Sequence, residues 1–94
     1  MAILMQIDLP GVEKEQYEQL SARVRSGEIP AEGCLAHVAI PTDDGVRIID
    51  LWESRAAMDA FNTRLMPVAV ELGFPPSPAP PQVTEVHGYW VPGA

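Results

Sequence analysis

The sequence predicts a single α+β domain whose elements run strand, helix, strand, strand, helix, strand. Three observations predict it. A chain of 94 residues is the size of one domain. The stretch from Cys34 to Glu53 places Asp43-Asp44-Gly45 between two β-rich runs, and Asp-Gly in that setting is the strongest short hairpin signal. Two apolar stripes at helical spacing stand on either side of this hairpin: Tyr17, Leu20 and Val24 before it, and Phe61, Leu65, Val68 and Leu72 after it.

Each element has its own signals. Ala2 to Asp8 is the first strand, with Ile3, Met5 and Ile7 on an apolar face and Leu4, Gln6 and Asp8 on a mixed one. Pro10-Gly11 ends it. Glu13 to Arg25 is the first helix: Gln16 stands at the capping-box position, Val12 and Tyr17 have staple spacing, and Arg23 and Arg25 suit the negative end of the dipole. Gly27 is the expected stop. After the hairpin, Ser54 is a good N-cap for a helix that Gly73 ends. Pro67 interrupts this helix and predicts a kink or break near Met66. Phe74 to Pro81, F-P-P-S-P-A-P-P, is a semi-rigid connector. Gln82 to Val91 is the last strand, with Val83, Glu85, His87 and Tyr89 on one face.

This order is the βαββαβ split unit of ferredoxin-like folds. Right-handed crossovers set a four-stranded antiparallel sheet in the order 4-1-3-2, with both helices on one face. The other face is expected to carry Leu4, Leu35, Val46, Ile48, Trp52, Val83 and Tyr89, which is too apolar to leave wet. A second copy packed face to face would cover it, giving a homodimer with a barrel-like central cavity.

Composition narrows the function. The net charge of −7 argues against nucleic acid and anionic membrane surfaces, both of which need clustered Lys and Arg. No apolar run approaches the roughly 20 residues that span a bilayer. One cysteine, Cys34, makes no internal disulfide, and the N-terminus lacks the basic and cleavage-site features of a signal peptide, so a cytoplasmic location is expected. No Gly-rich phosphate loop, nucleophile elbow or CxxC is present.

The hairpin carries the chemistry. His37 shares a face with Leu35 and Ala39; Asp50 shares one with Val46, Ile48 and Trp52. A two-residue loop sets His37 opposite Trp52, and a four-residue loop sets it opposite Asp50; either keeps all three on one face, and an odd loop or a bulge separates them. A histidine beside a carboxylate has one tautomer fixed and its basicity raised. His37 is therefore the candidate general base and Asp50 its orienting partner. Trp52 and Tyr89 offer flat surfaces for a planar substrate, and Gln6 and His87 add polar groups to the same expected cavity. Each has a plainer reading: His37 as a hydrogen-bonded core residue, Trp52 as dimer core, His87 as exposed. Asp50 needs a partner if buried, with His37, Arg47 and an arginine of a second copy as candidates. The enzyme reading needs an enclosed pocket with a His37 ring nitrogen within hydrogen-bond reach of Asp50 or of a ligand; a cavity filled by side chains, or His37 pointing at the helices, would defeat it. His37, His87 and Asp50 have the composition of a two-His-one-carboxylate iron site, but their spacing carries no signature, so neither metal nor cofactor is expected.

The phrases L-P-G-V-E-K-E-Q-Y at 9–17, H-V-A-I-P-T-D-D-G at 37–45 and I-I-D-L-W-E-S-R-A-A-M-D-A-F at 48–61, with the element order, make the chain resemble the dimeric α+β barrel superfamily, in particular antibiotic-biosynthesis-monooxygenase-like small proteins. The resemblance covers nearly the whole chain. It implies one of that group's activities: cofactor-free oxygenation, polyketide cyclisation, lactone isomerisation or haem degradation, or none. The haem-degrading members use a histidine in the second helix region, and Arg55 to Leu72 holds no histidine. The expectation is a cofactor-independent enzyme that abstracts a proton from an aromatic or polyketide-like molecule. The alternative is a non-catalytic dimer that binds a small ligand or a protein partner.

Overall fold

The computed structural model describes residues 1–93. Its elements are β1 (Ile3–Pro10), α1 (Lys14–Arg25), β2 (Cys34–Pro41), β3 (Gly45–Trp52), α2 (Arg55–Glu71) and β4 (Gln82–Glu85). The four strands form one antiparallel sheet in the order β2-β3-β1-β4, the predicted order read from the other edge. Among the described residues no helix is long and apolar enough to cross a membrane.

Local signals explain the helix ends. Glu13 caps α1 in a capping box with Gln16, whose side chain accepts from the Glu13 backbone N–H at 2.9 Å. Ser54 caps α2 by accepting from the Ala57 N–H at 3.1 Å. Gly27 and Gly73 follow the two helices with φ of 89° and 81°, the left-handed backbone that ends a helix and suits glycine. Gln16 also donates to the Leu72 and Gly73 carbonyls, and Arg23 bridges Glu28 and Glu71. These contacts tie α1 to the far end of α2.

The hairpin takes the four-residue option: Pro41 pairs with Val46, the Thr42 N–H donates to the Gly45 carbonyl at 2.9 Å, and His37 lies opposite Asp50. A bulge does occur, between Cys34 and Ala36. It lies beyond His37, so the His37–Asp50 pairing survives it. It does move Cys34, expected on the face opposite His37, into register with Trp52 and against the core.

Which face the helices cover reverses the expectation. Val46, Ile48, Asp50 and Trp52 are buried, and the three apolar ones pack with Ile3, Met5, Val12 and Met58. They lie under the helices, not on the open face. The β1–β3 register shows why: Ile3, Met5 and Ile7 pair with Trp52, Asp50 and Ile48, so the clean apolar face of β1 and this face of β3 are one surface. Val83, which pairs with Met5, packs on the same core. The open face carries instead Leu4, Ala36, Val38, Ile40, Ile49 and Leu51, with Gln6, Asp8 and Arg47 among them.

Two elements differ in length. α2 runs unbroken through Pro67. The proline is exposed, so water can take the carbonyl it leaves without a donor, while Met58, Phe61, Leu65, Ala69 and Leu72 hold both halves against the protein. β4 stops at Glu85 instead of Val91. Glu85 pairs with Ile3, the first residue of β1, and Val86 donates to the Ala2 carbonyl at 2.9 Å just beyond it.

Candidate active site

A carboxylate buried in mid-strand sets the site. Asp50 is 5% exposed, and an unpaired charge there would be costly. Its partner is His37: Nδ1 lies 2.6 Å from Asp50 Oδ1. Arg47, a second candidate, points to the other face and holds Asp8 at 2.7 Å. An ionised carboxylate only accepts, so Nδ1–H donates and the neutral imidazole is left with Nε2 as an acceptor. The Tyr17 hydroxyl, carried over the sheet by α1, donates to Nε2 at 2.6 Å. The two rings are within 5° of parallel with centroids 6.1 Å apart. At that separation, joined by a 2.6 Å bond, they meet edge to edge rather than face to face, and the O–H lies along the in-plane lone pair of Nε2.

The result is a three-residue chain, Tyr17–His37–Asp50, from α1 through edge strand β2 to β3. Its inner bond is part-buried and its outer bond exposed; the His37 side chain is 44% exposed. Burial pushes the Tyr17 phenol above its usual range, and the Asp50 charge adds to this. The Ser21 hydroxyl and the Arg25 guanidinium, one and two turns further along α1, act in the opposite direction. Burial, reinforced by Asp50, also pushes the Cys34 thiol up, so Cys34 is a packed thiol rather than a reactive thiolate.

The other expected site residues do not join this group. Trp52 is 1% exposed, packs on Phe61 with ring centroids 5.1 Å apart, and has no hydrogen-bond partner for Nε1. It is core, with no ring face open to a substrate. Gln6 lies on the opposite sheet face, paired with Ile49. His87 and Tyr89 lie beyond the end of β4 and are exposed. Their strand-like alternation has no partner strand to realise it. Among the described residues no three His, Cys, Asp or Glu side chains converge as a ligand set. Tyr17 is the residue the sequence reading missed. Its stripe position made it look like core, and the signal that it could reach His37 was only that α1 must lie across the hairpin.

Two clefts open elsewhere. One, of about 330 Å³, lies beside the hairpin loop between Arg47, Gln6, Gln82 and the Pro78–Pro80 strap. The other, of about 340 Å³, lies at the start of α2 between Glu32, Glu53, Phe61 and Arg64. Neither includes His37 or Asp50.

No protein-family model matches the chain, and no curated protein matches it. Solved structures do. A monooxygenase of Streptomyces coelicolor in complex with nanaomycin D is 20% identical with a TM-score of 0.57, over 97% of this chain and 90% of that one. A candidate antibiotic biosynthesis monooxygenase of Chloroflexus aurantiacus is 21% identical with a TM-score of 0.56, over 95% of each chain. One from Caulobacter crescentus is 15% identical with a TM-score of 0.57, over 95% and 89%. The sheet order, the two helices and these likenesses agree: the chain has the ferredoxin-like fold of antibiotic-biosynthesis-monooxygenase-like proteins.

Proposed function

We propose that this chain is a small-molecule enzyme whose own acid–base groups, with no cofactor, remove a proton from an aromatic or polyketide-like substrate, as the step that leads to oxygenation, cyclisation or isomerisation. One observation carries the reading: a buried aspartate lies 2.6 Å from Nδ1 of a half-exposed histidine at the edge of the sheet. In this role His37 is the base, and Asp50 orients it and stabilises the imidazolium. The nanaomycin D bound by the Streptomyces neighbour supports a planar polycyclic ligand. His37 points at α1 and neither cleft includes it, which defeats catalysis in the expected cavity between two sheets; the proton transfer proposed here lies only at the helix side of the sheet edge. The lone thiol fits a reducing, cytoplasmic compartment.

The same chain is proposed to pair as a homodimer through its open sheet face, where Leu4, Val38, Ile40, Ile49 and Leu51 gather. A second reading, a non-catalytic dimeric binding module, is favoured by one fact: both His37 nitrogens are already satisfied within the chain, as in a clamp that only fastens α1 to the sheet. A panel of hydroxylated naphthoquinones and anthrones, followed by oxygen uptake and product absorbance, separates the two. The enzyme reading expects turnover that His37→Ala lowers by about 10²–10⁴-fold. Full turnover by that variant rules it out.

A further inference from the structure

Both nitrogens of His37 are engaged, Nδ1 by Asp50 and Nε2 by Tyr17. The imidazole therefore has no free lone pair for a substrate proton. The phenol oxygen of Tyr17 does: it spends its hydrogen on Nε2 and keeps acceptor capacity. Tyr17 is half-buried, His37 is the most exposed of the three, and Asp50 is buried. We propose that Tyr17, not His37, is the group that takes the proton of an O–H acid at this site. The inference rests on the proposed reading of this site as a proton-transfer site.

The step balances without a co-reactant. The substrate O–H breaks and an O–H forms on Tyr17; the original Tyr17 O–H breaks and an N–H forms on His37 Nε2. The substrate is left as an oxyanion, and the imidazolium faces the Asp50 carboxylate. No electrons change hands. A sink of this kind suits an O–H acid of the phenol range, with a pKa of about 10, and not a C–H bond many orders of magnitude less acidic. The groups around the phenol are Ser21 and Arg25 on α1, His37 on β2 and Asp50 on β3. Ser21 and Arg25 share the Tyr17 stripe at spacings of four and eight and partly offset the burial and Asp50 charge that together hold the phenol in its protonated form.

4-Nitrophenol tests this, because its anion absorbs visibly, with 4-nitroanisole as the ligand that has no proton to give. The wild-type chain is expected to raise the anion-to-phenol ratio of bound nitrophenol at neutral pH at least about tenfold over free solution. Tyr17→Phe is expected to abolish that rise, with its circular dichroism and its urea midpoint at neutral pH showing that the variant is folded. A Tyr17→Phe chain that keeps the tenfold rise overturns the inference. If that chain keeps the rise and His37→Ala loses it, the proton goes directly to His37, and the broader reading of the site stands without this one. If neither compound binds the wild-type chain, both fall.

Discussion

Asp50 on the core face of β3 has His37 as its partner, and His37 at the sheet edge is held from its other side by Tyr17. Tyr17, the outer member of this chain, has its titration shifted chiefly by burial. Burial and the Asp50 charge hold the Tyr17 proton more tightly in the folded chain than in the unfolded one, and Cys34 is held likewise. At neutral pH both states keep these protons and nothing is gained or lost. Above about 8.5 for a cysteine and about 10 for a tyrosine the unfolded chain releases them first. Stability therefore falls as pH rises from the unfolded values towards the folded ones. Urea midpoints measured from pH 7 to 11 should be flat and then decline, with Cys34→Ala removing the first part of the decline and Tyr17→Phe the second. A decline identical in both variants would mean that neither group is held as described. In the sequence the His37–Asp50 pair was legible because strand parity places side chains. Tyr17 was not, because no local pattern says where a helix lies across a sheet.

Elements were legible where their own chemistry decides them. Glu13 with Gln16, Ser54, and Gly27 and Gly73 mark the helix ends by capping and backbone freedom, and Asp43 to Gly45 marks the turn. Gly45 is needed for a second reason invisible in the sequence: a Cβ there would collide with the Leu9 carbonyl oxygen. Elements were misread where a neighbour decides. β4 ends because β1 does, and α2 passes through Pro67 because both of its halves pack. The helix side of the sheet was misassigned because β3 is apolar on both faces; only its register with β1 breaks the tie. Pro67 still leaves α2 one bond short. Pro67→Ala should raise stability by about 1–3 kcal/mol, which in thermal melts is about 4–8 °C for each kcal/mol in a domain this size. An unchanged or lower melting temperature would show that the proline is favoured by its surroundings.

At the scale of the whole molecule, the helices close one face of the sheet and leave the other open. Val38 is 48% and Leu4 and Ile40 each 38% exposed on that open face, and Trp90, beyond β4, is 80% exposed. An isolated chain of this size has a modest core, and such a face is expected to be covered by a second copy. Sedimentation at micromolar concentration should give a dimer for the wild type and a monomer for Leu51→Asp, whose charge would lie in the middle of the contact. A wild-type monomer would refute the dimer and leave the Tyr17–His37–Asp50 site untouched, because that site lies on the other side of the sheet.

The account turns on how His37 is held, and nitrogen-15 NMR of labelled histidine reads this directly. At a pH where the imidazole is neutral, His37 should show a protonated Nδ1 and a pyridine-like Nε2, and Asp50→Asn should abolish that preference. A wild-type His37 with its proton on Nε2 would mean that Asp50 does not receive the Nδ1 hydrogen and Tyr17 does not donate to the ring, and the proton-transfer site described here would not exist.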